Sequence, residues 1–359
     1  MGSFSMSGNG SLSMPLLGNS SLLPGNGSQC GAIAVSVTES LLPPVYVCVF
    51  AVGAVGNAVA LRGALRGWSR RGRGGQDRRG GLSFGVFVLN LALADLLYLC
   101  TLPFLVHYYA GGSRWIYGQT FCKLTRFCFN LNLYGSIGFL TCISVYRYLG
   151  IVHPLRVLGK IRTRHSLAVT VLVWILVIIQ ILPDMFFDKN DSNSPESCYD
   201  TTSDGQVEAY LPYSVGWSVT GFVVPLLIIL VCYGHIVVVL VQRAQVDVEL
   251  KQRCLRLVVV LLILFSVCFI PYHVFRNVNL TTRLLKLKGR CHAGFKDVYL
   301  LHQVGRCLAC LNSAINPLIY VVGSDDFLVK LQNCRRSVCR KDRHALKAPV
   351  ESPTDPEGP

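Results

Sequence analysis

The sequence predicts an all-α integral membrane protein, a seven-transmembrane helix bundle followed by a short amphipathic C-terminal helix. Three observations lead there. Of 359 residues, 52% are hydrophobic and 15% charged, and the mean hydropathy is +0.46, too apolar for an ordinary soluble domain. Seven stretches, 41–65, 82–109, 119–152, 166–187, 210–241, 254–280 and 298–322, reach the roughly 20 mostly apolar residues that cross a hydrocarbon core. The densest basic runs between and after them fall on one side of the membrane. The first connection carries Arg62, Arg66, Arg70, Arg71, Arg73, Arg78 and Arg79, the third Arg156, Lys160, Arg162 and Arg164, and the tail Lys330, Arg335, Arg336, Arg340, Lys341, Arg343 and Lys347. Such segments stay cytoplasmic, so the expected arrangement is a plasma-membrane protein with its N-terminus outside.

Three regions follow: an extracellular glycosylated segment 1–40, the bundle 41–322, and a cytoplasmic helix and basic tail 323–359. The first has no charged residue before Glu39 and is rich in Gly, Ser and Asn, with N-x-S acceptors at Asn9, Asn19 and Asn26. No signal-peptide pattern precedes it, so the first span is expected to direct export. The formal charge of +15 suggests nucleic acid in other settings, but here it lies beside spans and sets orientation, so no nucleic-acid partner is expected. The Arg- and Gly-rich run from Gly72 to Gly81 reads as a disordered insertion.

Most of the 15 cysteines lie within apolar spans, where the residue packs as a small hydrophobe; Cys307 and Cys310 have C-x-x-C spacing but no companion ligands. Cys30, Cys122, Cys198 and Cys291 fall on the oxidising side and allow three pairings. Cys334 and Cys339, set among basic residues after the last span, are palmitoylation candidates.

Polar groups inside a span are costly, so each points to function. Asn57, Asp95, Ser136, Asn312 and Asn316 are of this kind, and an acid with hydroxyls and amides at one depth suits a small cation. Pro103, Pro225, Pro271 and Pro317 interrupt the second, fifth, sixth and seventh spans, and proline bends a helix. Asn57, L-A-L-A-D ending at Asp95, Trp174, Pro225 with Tyr233, F-x-x-C-F-x-P from Phe265 to Pro271, and N-P-x-x-Y from Asn316 to Tyr320 together resemble the rhodopsin-like G-protein-coupled receptors. The resemblance implies a Cys122–Cys198 bridge, a sodium pocket of Asp95, Ser136, Asn312 and Asn316, and Arg147 as the arginine that meets the G protein. Tyr233, Phe269, Pro271 and Tyr320 would take part in activation. Tyr146 stands before Arg147 where the family usually has an acid, which implies raised basal activity.

Orientation does not account for Arg126, Arg276 and Arg306 at the outer ends of the third, sixth and seventh spans. In the family arrangement all three face one outward cavity, and their repulsion calls for an anion. Arginine suits phosphate because its planar fork makes bidentate hydrogen bonds. The alternative is pairing with loop carboxylates such as Asp184, Asp188, Asp200, Asp204 or Asp297. H-V-F-R from His273 to Arg276, Q-V-G-R from Gln303 to Arg306, C-Y-D-T-T-S-D from Cys198 to Asp204, and Phe269 in place of the usual kink tryptophan resemble the metabotropic purinoceptors, the nucleotide receptors of this class. The likeness runs from about Leu41 to Phe327 and is strongest to the adenine-nucleotide subtypes one and eleven.

That resemblance implies an extracellular ATP or ADP ligand held by Arg126, Arg276 and Arg306, with Tyr134, His273, Asn279 and Gln303 nearby and Tyr199, Asp200 and Thr201 closing the outer loop. His302 stands where the relatives have tyrosine. It also implies a Cys30–Cys291 bridge and coupling to a heterotrimeric G protein of the phospholipase C-linked Gq type, with cyclase stimulation through Gs as an addition. Asn190, in N-D-S, is a further sugar acceptor. No cofactor is expected, and no metal beyond sodium. A receptor for a carboxylate metabolite is the alternative within the class. A transporter is disfavoured because no internal repeat or paired broken helices appear. No glycine-rich phosphate loop, metal-ligand cluster or nucleophile elbow speaks for an enzyme.

Overall fold

The computed structural model describes residues 29–71, 79–153, 163–190, 195–242, 248–290 and 292–323. Within them lie seven helical rods: α1 (Gln29–Arg71), α2 (Arg79–Leu99, resumed as Leu102–Ala110), α3 (Gln119–Val152), α4 (Thr163–Ile181), α5 (Val207–Ser218, resumed as Val224–Gln242), α6 (Val248–Ile263, resumed as Ile270–Leu287) and α7 (Phe295–Gly323). The first six are long and apolar enough to cross a membrane. Helix α7 completes the bundle, packed between α1 and α6, and α3 lies against α2, α4 and α5. The expected seven-helix architecture is therefore present. The expected C-terminal helix, the sugar acceptors Asn9, Asn19 and Asn26, and Cys334, Cys339 and Cys291 fall outside the described residues, as do the side chains of Cys30 and Tyr320.

Leu167, Val171, Leu172, Ile175, Leu176 and Ile179 of α4 are exposed, as are Leu227, Val231, Val238 and Val241 of α5. Such faces are stable only against lipid. The inward faces carry the buried polar groups. Asn57 donates to the carbonyls of Gly53 at 3.0 Å and Ser313 at 2.8 Å, joining α1 to α7. Trp174 donates its indole N–H to Asn90 at 2.9 Å, joining α4 to α2.

Prolines mark the irregular turns. Helix α2 breaks just before Pro103, and there the Thr101 hydroxyl donates to the Tyr98 carbonyl at 2.7 Å. Helices α5 and α6 each widen into a π turn, Val219–Val223 before Pro225 and Leu264–Phe269 before Pro271. A proline ring clashes with the carbonyl four residues earlier, and a π turn moves that carbonyl aside. Pro317, in contrast, sits inside an unbroken α7, so the seventh helix is not interrupted as the sequence suggested. Arg62, Arg66, Arg70 and Arg71 extend α1, and Arg79, Gly80 and Gly81 open α2. The run read as a disordered insertion is thus helical at its end, and Gly72–Arg78 lies outside the described residues.

Several glycines permit close approach, Gly305 and Gly221 among them. A Cβ on Gly305 would stand 3.1 Å from the Tyr272 backbone, which lets α7 lie tightly on α6 beside Arg306. A Cβ on Gly221, in the α5 π turn, would collide with Gln180 Nε2 and stand 2.7 Å from the Tyr134 ring. Gln180 donates to the Trp217 carbonyl at 3.1 Å, so α3, α4 and α5 meet at this point. Gly221→Ala is expected to cost about 1–3 kcal/mol by overpacking, read as a lower thermal midpoint of the detergent-solubilised protein, whereas Gly216→Ala, with open space around it, leaves the midpoint unchanged.

Candidate functional site

The chain closes one end of the bundle with the segment between α4 and α5. Cys198 in that segment is bonded to Cys122 of α3, as the resemblance implied. The segment folds back on itself, with Tyr199 N–H donating to the Lys189 carbonyl at 2.7 Å and Ser203 N–H to that of Asp188 at 2.8 Å. Arg283 of α6 clasps it from the other side, donating to the Thr201 hydroxyl at 3.0 Å, the Thr202 carbonyl at 2.9 Å and the Asp204 carboxylate, with its guanidinium 5.8 Å from the Tyr199 ring.

Beneath this cover lie the three arginines, only 3%, 1% and 2% exposed for Arg126, Arg276 and Arg306. They do not form one symmetric cluster. Arg126 donates to the Cys198 carbonyl at 2.7 Å and approaches the Tyr109 hydroxyl at 3.5 Å. Arg306 donates to the same hydroxyl at 2.6 Å and lies 3.3 Å from Asp200. One tyrosine therefore joins these two. Arg276 sits apart in an aromatic nest, 4.4 Å from the Trp217 ring, donating to Tyr210 at 3.0 Å and Tyr134 at 3.4 Å. All three keep a buried Nε–H with no partner.

The alternative of loop carboxylates is realised for Arg306 alone. Asp200 also lies 3.4 Å from His302. Burial pushes the Asp200 carboxyl up, but His302, Arg306, Arg126 and Arg283 together hold it below the usual carboxylate range. Lys189 is fully buried and pairs with Asp184 at 2.8 Å; burial draws its ammonium below the usual lysine range, and Asp184 opposes that shift. Among the described residues no carboxylate lies within ion-pair distance of Arg126 or Arg276. Two guanidinium charges are thus buried against neutral oxygens and π faces, with Asp200 and Asp184 beyond ion-pair distance.

The other expected residues lie close by. Asn279 is 3.5 Å from His302. His273 stacks on Phe222 at 4.4 Å, with both ring nitrogens buried and without partner, and the Gln303 carbonyl oxygen is likewise without one. Thr201 is buried in the cover. Asn190 ends the described stretch after Lys189 and is partly exposed. Sequence reasoning passed over Tyr109, Tyr210, Trp217, Arg283 and Lys189, and named Asp184 only as one of several loop acids. Tyrosines spaced through helices carry no signal until packing shows which hydroxyl meets which arginine.

Nearer the middle of the bundle, Asp95 accepts hydrogen bonds from Asn132 at 2.6 Å and from Asn316 at 3.1 and 3.0 Å. Asn316 also donates to Ser136 at 3.3 Å, and Ser313 donates to Asn132 at 3.1 Å. Asn312 is buried with both amide atoms unpartnered. Of the four expected residues, Asp95, Ser136 and Asn316 come together through these bonds, no bond joins Asn312 to them, and Asn132 and Ser313, which the sequence reading missed, belong to the network. Toward the far end Tyr233 accepts from Ser144 at 3.1 Å, Phe269 packs edge-on to Phe265 beside Pro271, and Arg147 lies 4.8 Å over the Phe84 ring.

A seven-helix bundle with a bridged cover over buried cations is a receptor architecture, and comparison with known proteins agrees. Residues 76–320 match the family model of the 7 transmembrane receptor (rhodopsin family). The chain is 40% identical over 320 residues to human P2-Y purinoceptor 1, covering 87% of this chain and 82% of that one, and 39% identical over 332 residues to the chicken (Gallus gallus) protein of that name, covering 91% and 88%. It is 36% identical over 302 residues to rat 2-oxoglutarate receptor 1, covering 83% and 85%. The chain belongs to the rhodopsin family of G-protein-coupled receptors, within the group that includes the metabotropic purinoceptors. It is a multi-pass membrane receptor and not an enzyme.

An arginine kept for an absent anion stabilises the empty fold little, because burying its charge is costly. Arg276→Met is therefore expected to leave the ligand-free thermal midpoint no lower than in the unmodified protein while removing the response to agonist; a fall of several degrees would mark the arginine as structural.

Proposed function

We propose that this receptor stands in the plasma membrane with its N-terminus outside and answers extracellular adenine nucleotides, ATP or ADP. The observation that carries this reading is the pair of buried arginines without a carboxylate, Arg126 and Arg276, beside Arg306. Their spare N–H groups suit the several oxygens of a polyphosphate. The purinoceptor relatives support the same ligand class. His273, Gln303 and Asn279 would complete the ligand's surroundings, and Tyr199, Asp200 and Thr201 would close over it.

Binding would shift the population of states. The ligand draws α3, α6 and α7 together, and α6 pivots at its π turn and Pro271 to open the opposite end around Arg147. Moving a receptor from mostly off to mostly on takes about 5.5 kcal/mol of differential affinity, which a few charge-assisted hydrogen bonds of about 1.5–3 kcal/mol each supply. The partner is a heterotrimeric G protein of the Gq type, acting through phospholipase C and calcium, with Gs and cyclic AMP in addition. Sodium held by Asp95, Ser136, Asn312 and Asn316 would favour the resting state.

A second reading, a receptor for a carboxylate metabolite, draws on the likeness to rat 2-oxoglutarate receptor 1, because two or three arginines hold a dicarboxylate equally well. Intracellular calcium in cells expressing the full chain separates the two. Repurified ATP or ADP is expected to evoke a response that Arg306→Ala abolishes, and a response to 2-oxoglutarate alone would move the receptor to the second reading. Agonist-free inositol phosphate is expected above that of mock-transfected cells, as the missing acid at Tyr146 implies; equal levels would count against that effect. Asp95→Asn is expected to remove the shift in agonist potency between sodium and potassium media.

A further inference from the structure

Asp184 belongs to no part of the ligand site described so far, yet its side chain is one of the most heavily engaged groups in the protein. It lies in the single 3-10 turn that ends α4 (Leu182–Phe186) and is 1% exposed. Its Oδ1 accepts from Lys189 Nζ at 2.8 Å and from the Tyr210 hydroxyl at 2.7 Å, and its Oδ2 accepts from Asn130 Nδ2 at 3.2 Å. One carboxylate thus gathers α3, α4, α5 and the covering segment.

A phenol has one proton and accepts with its lone pairs. The Tyr210 hydroxyl donates its one hydrogen bond to Asp184, so its oxygen is left as an acceptor, and Arg276 Nη2 donates to it at 3.0 Å. Lys189 neutralises Asp184 at close range. The arginine is therefore fixed in place by a neutral oxygen, and the charge that holds that oxygen is already cancelled. Were Asp184 to reach Arg276 directly, the fold itself would supply the anion. Lys189 also donates to the Thr201 carbonyl, the residue beside Asp200, so the same pair ties the covering segment to the hub.

We propose that Asp184 is a positioning residue for Arg276: through the Tyr210 hydroxyl it orients the guanidinium for an incoming anionic ligand while Lys189 prevents it from acting as that anion. The proposal rests on the reading of Arg276 as a ligand-binding arginine, and its test has one arm that needs no ligand. Removing Asp184 alone would strand a buried lysine, so the variant is Asp184→Asn with Lys189→Met, compared with Tyr210→Phe, Arg276→Ala and their combinations in the full chain.

In the ligand-free arm, thermal midpoints of the solubilised receptor form a mutant cycle. The paired substitution and Arg276→Ala are expected to be non-additive, and to become additive in the Tyr210→Phe background. Additivity with Tyr210 present overturns the proposal. In the second arm, ATP and ADP concentration–response curves at matched surface expression are expected to move right by roughly tenfold, the cost of one hydrogen bond to a charged group. The maximum stays unchanged in the paired variant and in Tyr210→Phe alike, and combining them adds nothing. Unchanged potency in Tyr210→Phe, which removes only the hydroxyl and so survives any folding defect of the paired variant, also overturns it. Coupling in the first arm with no response of the unmodified receptor to ATP or ADP upholds the positioning and discards the nucleotide reading.

Discussion

Burying positive charge without matching negative charge governs the disulfide-bearing end of this protein. A guanidinium removed from water is costly unless hydrogen-bonded or paired, and three of them lie buried beneath the cover, within about three helical turns of the helix ends. The fold meets this with aromatic oxygen and π faces more than with acids. Tyr109 serves Arg126 and Arg306, and Tyr210, Tyr134 and Trp217 serve Arg276. These groups lower the cost of the charge and leave its sign intact. An anion entering there finds donors already desolvated and oriented, the condition under which electrostatic recognition is strongest.

The covering segment is built to the same requirement. Cys122–Cys198 holds it to α3, Arg283 holds it to α6, and Lys189 holds it to Asp184. Asp200 then reaches Arg306 and His302 from above. The contacts fall on three different helices, so any movement of α6 toward α3 or α7 must be felt in the cover as well. Farther along, the π turns before Pro225 and Pro271 give α5 and α6 an irregular stretch at comparable positions. Gly221 and Gly305 admit Tyr134 and Tyr272 at contact distance beside them. Tyr134 of the arginine nest thus packs on the irregular stretch of α5, so the two form one packed unit.

Much of this was legible in the chain. Apolar runs of sufficient length announce helices because lipid allows the backbone no other partner, and all seven expected spans are helical. The interrupted seventh helix was misread because proline removes one hydrogen bond but does not oblige a break when its neighbours support the turn. Residue type alone singled out Arg126, Arg276, Arg306, Asp95 and Asn316, since charge and amides inside a span have no other ready explanation.

The sequence by itself determined the class of fold, the direction of its charges and the residues worth suspecting, because those depend on composition and on spacing along one helix. Only the tertiary structure decided how they are divided. Tyr109 and Arg306 meet across 197 residues, Asp95 and Asn316 across 221, and Arg276 stands with Tyr210 instead of with the other two arginines. Such meetings depend on which faces of seven packed helices turn toward one another, and that is fixed by the fit of side chains across helix interfaces, which no local pattern records.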